Sequence, residues 1–255
     1  MNLQCRPELA VAYKAGSQIA RIVSEDWCAR ELYCPACDSD HLSRSKVNTP
    51  VVDFVCPQCD QPFQLKSLRV WNGKKVVDAG YESMLSAIRT DRTPNLLVLQ
   101  YSPDWLVRNL LLIPRVFFSA SVIEKRVPLG PQARRAGWVG CNILLGQIPQ
   151  DGKITVVSAG SILPEHEVRR EFARVRKLAK VPPSLRGWTL DVLNAIRRFG
   201  KPQFSLQDLY MAESELRTLH PDNRNVRPKI RQQLQVLRDL GLIEFTRPGN
   251  YSVRD

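Results

Sequence analysis

Four cysteines lie in two Cys-x-x-Cys pairs near the start of the sequence: Cys34 with Cys37, and Cys56 with Cys59. Four thiolates at this spacing can surround a zinc ion tetrahedrally and leave no open coordination position, so the pattern predicts a structural zinc site. Such a site would stabilise a segment too small and irregular to be held by packing alone. The alternatives are four unligated buried cysteines, or a site in which His41 replaces one sulfur.

A candidate catalytic site flanks the second cysteine pair. Asp53 follows an apolar run in "VVDF" and precedes Cys56 by three residues. Gln64 and Lys66 lie two residues apart in "FQLK", so they share one face if this segment is a strand. An acid followed by Gln-x-Lys matches the metal-dependent nuclease pattern Pro-Asp…(Asp/Glu)-x-Lys, known as PD-(D/E)XK.

These residue types suit the hydrolysis of a phosphodiester. Oxygen atoms of Asp53, Gln64 and the backbone carbonyl of Leu65 would hold Mg²⁺ against the scissile phosphate. Lys66 would favour formation of hydroxide and stabilise the charge that develops on phosphorus. In this hypothesis the zinc loop sets the register of the two strands that carry the site. The alternative is a solvated Asp and Lys on an ordinary hairpin.

A helix near the C-terminus, in "NVRPKIRQQLQVLRDLG", is a candidate DNA-reading element. Ile230, Leu234 and Leu237 form an apolar stripe that should face inward. The polar side of the helix carries Lys229, Arg231, Gln232, Gln235 and Arg238. Arg and Gln are the side chains that pair with guanine and adenine edges in the major groove, and Arg247 in the next segment could reach a phosphate. The alternative is an ordinary solvated helix face.

The segment "GPQARRAGWVG", Gly130 to Gly140, has no regular period and is predicted to be a loop. It carries Arg134, Arg135 and Trp138, so a contact with DNA is one interpretation. Half-buried packing of the tryptophan is the other.

The elements that must position these residues can be predicted from periodicity. We expect helices over 7–33, from Tyr81 to Ile88 and from about Glu165 to Lys180. Short apolar runs beginning at Asn95, Asn109, Cys141 and Lys153 predict strands. Together these elements predict an α/β (α+β) nuclease core of the PD-(D/E)XK type with a zinc loop.

Pro182-Pro183 breaks the pattern and predicts a domain boundary, which gives domains of 1–182 and 183–255. Beyond it we expect three helices: "GWTLDVLNAIRRF", "SLQDLYMAESELRTL" and the candidate DNA-reading helix. Ser205 and Asp208 predict a capping box at the start of the second helix. A strand, a Pro-Gly-Asn turn and a second strand complete the order of a winged helix-turn-helix.

The overall charge narrows the class of partner. The 255 residues include 37 Lys and Arg against 25 Asp and Glu, a formal net charge of +12, which favours nucleic acid. No apolar run approaches the ~20 residues needed to span a bilayer, and the start of the chain lacks a signal-peptide pattern. Seven cysteines, with two close pairs, favour a reducing compartment over a disulfide framework. We therefore expect a cytoplasmic protein of a bacterial type, without a membrane partner.

With these residues assembled, the chain resembles the DpnI-type family of methyl-directed restriction endonucleases nearly end to end. The resemblance rests on "SQIARIVSEDWCARELYCPAC", "PVVDFVC", "ARRAGWVGCNI", "SLRGWTLDVLN" and "KIRQQLQVLRDLGLIEF". It implies a Mg²⁺-dependent type II endonuclease that cuts double-stranded DNA at GATC only when the adenine carries an N6-methyl group. It also implies a nuclease domain with structural zinc, a winged helix that reads the same site, blunt cuts and a monomer.

The resemblance assigns roles to individual residues. Asp53 matches the first metal-binding acid, Lys66 matches the catalytic lysine, and the Trp138 loop matches a segment that reads the methyl group. Gln64 departs from the family, which has glutamate at this position. Its carbonyl can still bind Mg²⁺, but one ligand charge is lost.

Two other functions remain open at this point. One is a DNA-binding regulator without catalysis, with a zinc module and a winged helix that reads methylated DNA. The other is a nuclease for unmethylated or structured DNA. Serine-hydrolase chemistry is disfavoured because none of the three histidines, His41, His166 and His220, lies in a nucleophile-type setting.

Overall fold

The computed structural model describes residues 1–46 and 51–254. Pro50, the first residue of the segment "PVVDFVC", lies outside this description. The described residues fall into two compact units, each made of several chain segments. The first unit contains Met1–Ala79, Arg92–Arg115 and Asp151–Arg176, and the second contains Gly80–Asp91, Val116–Gln150 and Lys177–Asp255.

The described residues form helices and strands in a mixed order, as the α/β prediction requires. The helices are α1 (Gly16–Glu31), α2 (Tyr81–Arg89), α3 (Glu165–Arg176), α4 (Pro183–Arg198), α5 (Leu206–Tyr210), α6 (Glu213–Leu219) and α7 (Val226–Asp239). The strands are β1 (Ser43–Arg44), β2 (Phe54–Val55), β3 (Pro62–Leu68), β4 (Lys75–Gly80), β5 (Asn95–Tyr101), β6 (Val107–Ile113), β7 (Ile123–Lys125), β8 (Gly140–Leu144), β9 (Ile154–Ser158), β10 (Ser161–Ile162), β11 (Gln203–Ser205), β12 (Ile243–Arg247) and β13 (Asn250–Val253). No helix among the described residues is both long and apolar enough to cross a bilayer.

The first unit is built on a seven-stranded sheet in the order β1-β2-β3-β5-β6-β9-β10. Strands β3 and β5 are parallel, whereas the neighbouring pairs around them are antiparallel. Val98 and Leu99 on β5 are both fully buried. A strand covered on both faces is apolar along its length, which explains the continuous run "NLLVL".

Helix α1 packs on β3 and buries Val23, Trp27 and Cys28 completely. The predicted helix over 7–33 is wrong in its first half, because the helix begins at Gly16 and Pro7–Ala10 forms a separate 3-10 turn. The start of the chain is instead tied to the edge of the β5–β6 turn, since the Cys5 N–H donates to the Trp105 carbonyl (2.9 Å). Residues 11–15, between the 3-10 turn and the helix, form a turn and irregular backbone.

In the second unit, helices precede the hairpin β12–β13, as predicted, and β11 joins this hairpin in a sheet of order β11-β13-β12. The inward stripe of α7 is confirmed, since Ile230, Leu234 and Leu237 are fully buried. The predicted second helix is split into α5 and α6. Strand β11 was not predicted, because three residues are too short for a periodic pattern.

Helix α4 begins at Pro183, where a proline is tolerated because the first N–H groups of a helix have no intrahelical partner. Pro182-Pro183 thus marks the start of an element. The contact pattern places no border there, because residues from Lys177 onward group with earlier segments of the second unit. The division into 1–182 and 183–255 therefore stays a prediction.

The predicted capping box of α5 is present. The Ser205 hydroxyl accepts from the Asp208 N–H (3.1 Å), and the Asp208 carboxylate accepts from the Ser205 N–H (2.7 Å). We expect Ser205→Ala to lower the free energy of unfolding by about 1 kcal/mol, because one orphan N–H loses its acceptor. Chemical denaturation measures this change. Ser214→Ala, at an exposed position of α6, is the matched control; an equal effect of both substitutions would contradict the assignment.

Candidate functional site

The four paired cysteines form a compact sulfur cluster in the first unit. The Sγ atoms of Cys34 and Cys59 lie 3.6 Å apart, and those of Cys37 and Cys56 lie 3.5 Å apart. Sulfurs bound tetrahedrally to zinc at ~2.3 Å would be about 3.8 Å apart. All four ligand atoms lie within 4.8 Å of one another, and no other such group of His, Cys, Asp or Glu occurs among the described residues. The cluster can therefore hold a metal such as zinc.

His41 does not join the cluster. Its Nδ1 contacts the carboxylate of Asp40 (2.7 Å), and its side chain is exposed. The geometry thus favours the predicted site of four sulfurs over one in which His41 replaces a sulfur.

Backbone donors shape the chemistry of the second cysteine pair. Burial raises the pKa of the Cys56 thiol, but hydrogen bonds from the N–H groups of Cys59 and Gln58 and from the Cys37 and Cys59 side chains bring it down to about 6. Burial raises the pKa of Cys59, in the same turn, to about 11, so it is at Cys56 that the thiolate, the form that binds metal ions, is favoured. On the other side of the cluster, Arg169 of α3 donates to the carbonyls of Cys34 and Ser39, each at 3.1 Å. Arg169 was not predicted, because its partners lie far away in the sequence.

The second cysteine pair closes the β2–β3 hairpin. The Cys56 N–H donates to the Gln61 carbonyl (3.0 Å), and Phe54 pairs with Phe63. Just before β2, the Asp53 N–H donates to the Phe63 carbonyl (2.9 Å). The sulfur cluster therefore lies at one end of a two-residue strand and Asp53 lies at the other.

The Asp53 side chain reaches across to the returning strand. Its Oδ2 accepts from the Leu65 N–H at 2.7 Å. The N–H and C=O of one strand residue point to the same edge, so the Leu65 carbonyl also faces the edge where Asp53 lies. The structure thus brings together the Asp53 carboxylate and the Leu65 carbonyl, as the nuclease hypothesis requires of its metal ligands.

The surroundings of Asp53 include charged residues from α1. The pKa of the Asp53 carboxyl is raised, and burial is the largest cause. Glu25 also raises it, whereas the Leu65 N–H, Lys66 and Arg21 lower it. Glu25 is itself paired with Arg21 at 2.6 Å. Neither was predicted as a site residue, although both belong to the stretch "SQIARIVSEDW" that carries the family resemblance.

Gln64 and Lys66 meet at a residue that the sequence analysis missed. The Gln64 Nε2 donates to the Asp78 Oδ1 (2.9 Å), and the Lys66 Nζ lies 2.6 Å from the same oxygen. Gln64 and Lys66 therefore share one face of β3, as their spacing predicts. Asp78 comes from β4, and only its position in the apolar run "KVVDAG" could have drawn attention to it.

A groove of ≈ 250 Å³ opens beside these residues. Leu65 and Lys66 contribute to its walls from β3, and Arg21, Ser24 and Glu25 contribute from α1. Leu65 and Lys66 thus border the groove next to the Glu25 carboxylate, whereas Asp53 and Gln64 are not among the residues that line it. A carboxylate and an ammonium group at one groove are groups that can attract a cation and a phosphate, respectively.

The predicted DNA contacts on α7 lie in the second unit. Arg231, Gln232, Gln235 and Arg238 are exposed, and Lys229 is half-buried. Arg231 donates to the Tyr210 hydroxyl (2.8 Å), and the Arg238 guanidinium lies over the Phe245 ring (4.7 Å). Arg247 on β12 is exposed. The α7 side chains among them form an accessible polar surface away from the buried stripe of that helix.

Trp138 is half-buried in a loop that is closed by hydrogen bonds between its own backbone groups. The Leu129 N–H donates to the Trp138 carbonyl (2.9 Å), and the Gly137 N–H donates to the Leu129 carbonyl (2.9 Å). Gly140 must lack a side chain, because a Cβ there would lie 2.9 Å from the Trp138 ring. The exposed Arg135 places its guanidinium over the ring at 4.4 Å, and Arg134 is exposed beside it. The ring is therefore packed at its base and covered by a cation on one face.

Two family profiles match the chain, and together they span almost all of it. The profile of the DpnI family, described as the Dam-replacing family, matches residues 1–181. The profile described as the Dam-replacing HTH domain matches residues 184–253. These matches bear out the resemblance found in the sequence. The chain therefore belongs to the DpnI, or Dam-replacing, family and carries that family's helix-turn-helix domain in its C-terminal part.

Proposed function

We propose that this protein is a type II, methylation-dependent restriction endonuclease that cuts double-stranded DNA at 5′-GATC-3′ sites with N6-methylated adenine and uses Mg²⁺. The observation that carries the proposal is that the Asp53 carboxylate accepts a hydrogen bond from the Leu65 N–H, while Leu65 and Lys66 line one groove, in a chain of the DpnI family. The helix-turn-helix domain and the net charge of +12 support a DNA partner. We further propose a cytoplasmic monomer with a PD-(D/E)XK nuclease domain over 1–182 and a winged helix over 183–255.

The donor set of the proposed site fits Mg²⁺. Asp53 Oδ1, the Gln64 amide oxygen and the Leu65 carbonyl are hard oxygen ligands, which this ion prefers. A bound Mg²⁺ would polarise the scissile phosphate and lower the pKa of the attacking water. Lys66 holds its ammonium beside this place and stabilises negative charge on the phosphate. Attack of water on phosphorus breaks the P–O3′ bond and leaves a 5′-phosphate and a 3′-hydroxyl.

We propose that the cysteine cluster holds a structural zinc ion. Its four sulfurs leave no position for substrate, so the ion has no catalytic part. Its part is to tie the Cys34–Cys37 turn to the Cys56–Cys59 turn that closes the β2–β3 hairpin.

The proposed DNA contacts follow from exposure and chemistry. Gln232 and Gln235 on α7 suit adenine edges, Arg231 suits guanine, and Lys229 and Arg247 suit phosphates. In the second unit, Arg134 and Arg135 add positive charge beside the Trp138 ring. The N6 position of adenine faces the major groove, and a flat apolar ring is stabilised when it covers a methyl group there.

A second candidate function is a methylated-DNA-binding regulator without catalysis. Gln64 favours it, because the site has lost one carboxylate that would hold the metal more tightly. The two functions share the zinc site and the helix-turn-helix domain, and they differ in the need for Lys66.

Lys66→Ala tests the nuclease proposal. We expect cleavage of fully methylated GATC duplexes in Mg²⁺ to fall by about 10²–10³-fold, because a charge that stabilises the transition state is removed. Binding to the same duplex should persist. Lys74→Ala, at an exposed position outside the groove, is the matched control.

Gel assays with fully, half- and unmethylated duplexes measure both rate and specificity. A wild type that binds methylated GATC and never cuts it would support the regulator instead. Equal cutting of unmethylated DNA would refute the methyl-directed reaction.

Removal of zinc tests the structural role of the cluster. We expect one zinc ion per chain by elemental analysis, and loss of that ion in Cys34→Ser. A ligand present at 1,000 times its dissociation constant stabilises a protein by about 4 kcal/mol, so chelation should lower the unfolding midpoint markedly. Cys5→Ala, a buried cysteine outside the cluster, is the control and should keep its zinc. Full zinc content in Cys34→Ser would contradict the assignment.

A further inference from the structure

Asp78 is a buried carboxylate at which two proposed active-site side chains meet. Its Oδ1 accepts from Gln64 and contacts Lys66, and its side chain is 0% exposed. Its other oxygen, Oδ2, is also buried and has no hydrogen-bond partner among the described residues. Burial of a carboxylate is costly, and the partners of Oδ1 offset only part of this cost, because the buried Oδ2 has none among the described residues. A role beyond packing would account for it.

The first consequence of Asp78 concerns the orientation of the Gln64 amide. A carboxylate accepts hydrogen bonds and donates none, so the Gln64 NH₂ group must be the end that faces it. The amide oxygen then points away from Asp78. A flipped amide would turn its NH₂ group toward any cation bound next to Asp53, and it could not act as a ligand. Asp78 thus holds Gln64 in the one orientation that leaves its oxygen available.

The second consequence concerns the residue type at position 64. The Gln64 Nε2 lies 2.9 Å from the Asp78 Oδ1, so a glutamate would bring two carboxylate oxygens to a similar distance. Like charges this close in a buried place repel strongly. Lys66 balances one negative charge there and would face two. With glutamine, the group of three side chains is neutral and the Gln64 amide donor has an acceptor.

We propose that Asp78 is a positioning residue of this active site. It fixes the orientation of the Gln64 amide so that its oxygen is left available to a cation, it holds the Lys66 ammonium, and it makes a glutamate at position 64 costly while no cation is bound. This inference rests on the proposed function, because it assigns Gln64 to a divalent cation.

A double-mutant cycle over positions 64 and 78 tests the inference. The four proteins are the wild type, Gln64→Glu, Asp78→Asn and the double variant. Mn²⁺ binding is measured by titration calorimetry without DNA, and thermal unfolding is measured without added divalent ions. Zinc content is checked in each protein, so that a lost structural ion is not mistaken for an effect at this site.

We expect different effects of Gln64→Glu in the two backgrounds. In the wild-type background it should lower the unfolding midpoint measured without divalent ions, because the two carboxylates repel. In the Asp78→Asn background it should leave the midpoint nearly unchanged, because an amide donor at position 78 can pair with the new carboxylate. Asp78→Asn alone should weaken Mn²⁺ binding several-fold, because an asparagine at position 78 accepts either orientation of Gln64. A residue with a merely structural role would leave the Mn²⁺ affinity unchanged.

The outcomes separate this inference from the proposed function. Asp104→Asn, at an exposed position, is the matched control and should leave the effect of Gln64→Glu unchanged. If the wild type binds Mn²⁺ and cuts methylated DNA, but Gln64→Glu has the same effect with and without Asp78→Asn, the inference alone is overturned. If the wild type neither binds Mn²⁺ nor cuts, the proposed function fails and the inference fails with it.

Discussion

The candidate site depends on the register of a two-residue strand. Strand β2 is too short to hold its own pairing, yet Asp53 meets the Leu65 N–H only if Phe54 pairs with Phe63. A slip by one residue would turn every side chain of β2 to the opposite face. A metal ion held by the sulfur cluster at the end of this hairpin would remove that freedom, because it would join Cys56 and Cys59 to a second turn of the chain. The cluster and the candidate site therefore depend on the register of the same strand, β2.

The charges in the site follow from this placement. Asp53 is half-buried beside Glu25, so its ionised form is held at a cost that a cation would offset. Asp78 pairs with Lys66 at 2.6 Å, so the Lys66 ammonium does not compete with a cation for Asp53. The replacement of a carboxylate by Gln64 is then an adjustment to a neighbouring buried acid, rather than the simple loss of a ligand.

Local patterns were the predictable part of the molecule. The cysteine spacing, the capping box at Ser205 and the buried stripe of α7 each depend on residues close in sequence. Asp78 and Arg169 were missed because their partners come from distant segments, and no spacing rule connects them. The predicted first helix was wrong over residues 7–15, where only Leu9 and Tyr13 carried the helical period and a 3-10 turn and irregular backbone precede the helix.

The central claim is that the sulfur-pinned hairpin brings Asp53, Gln64 and Leu65 to a single cation beside Lys66. The most direct measurement is the anomalous signal of Mn²⁺ in crystals of the zinc-loaded protein. We predict a peak bonded to Asp53 Oδ1, the Gln64 amide oxygen and the Leu65 carbonyl, with the Gln64 NH₂ group still on Asp78. A peak elsewhere, with the Asp53 and Gln64 side chains pointing apart, would contradict this claim.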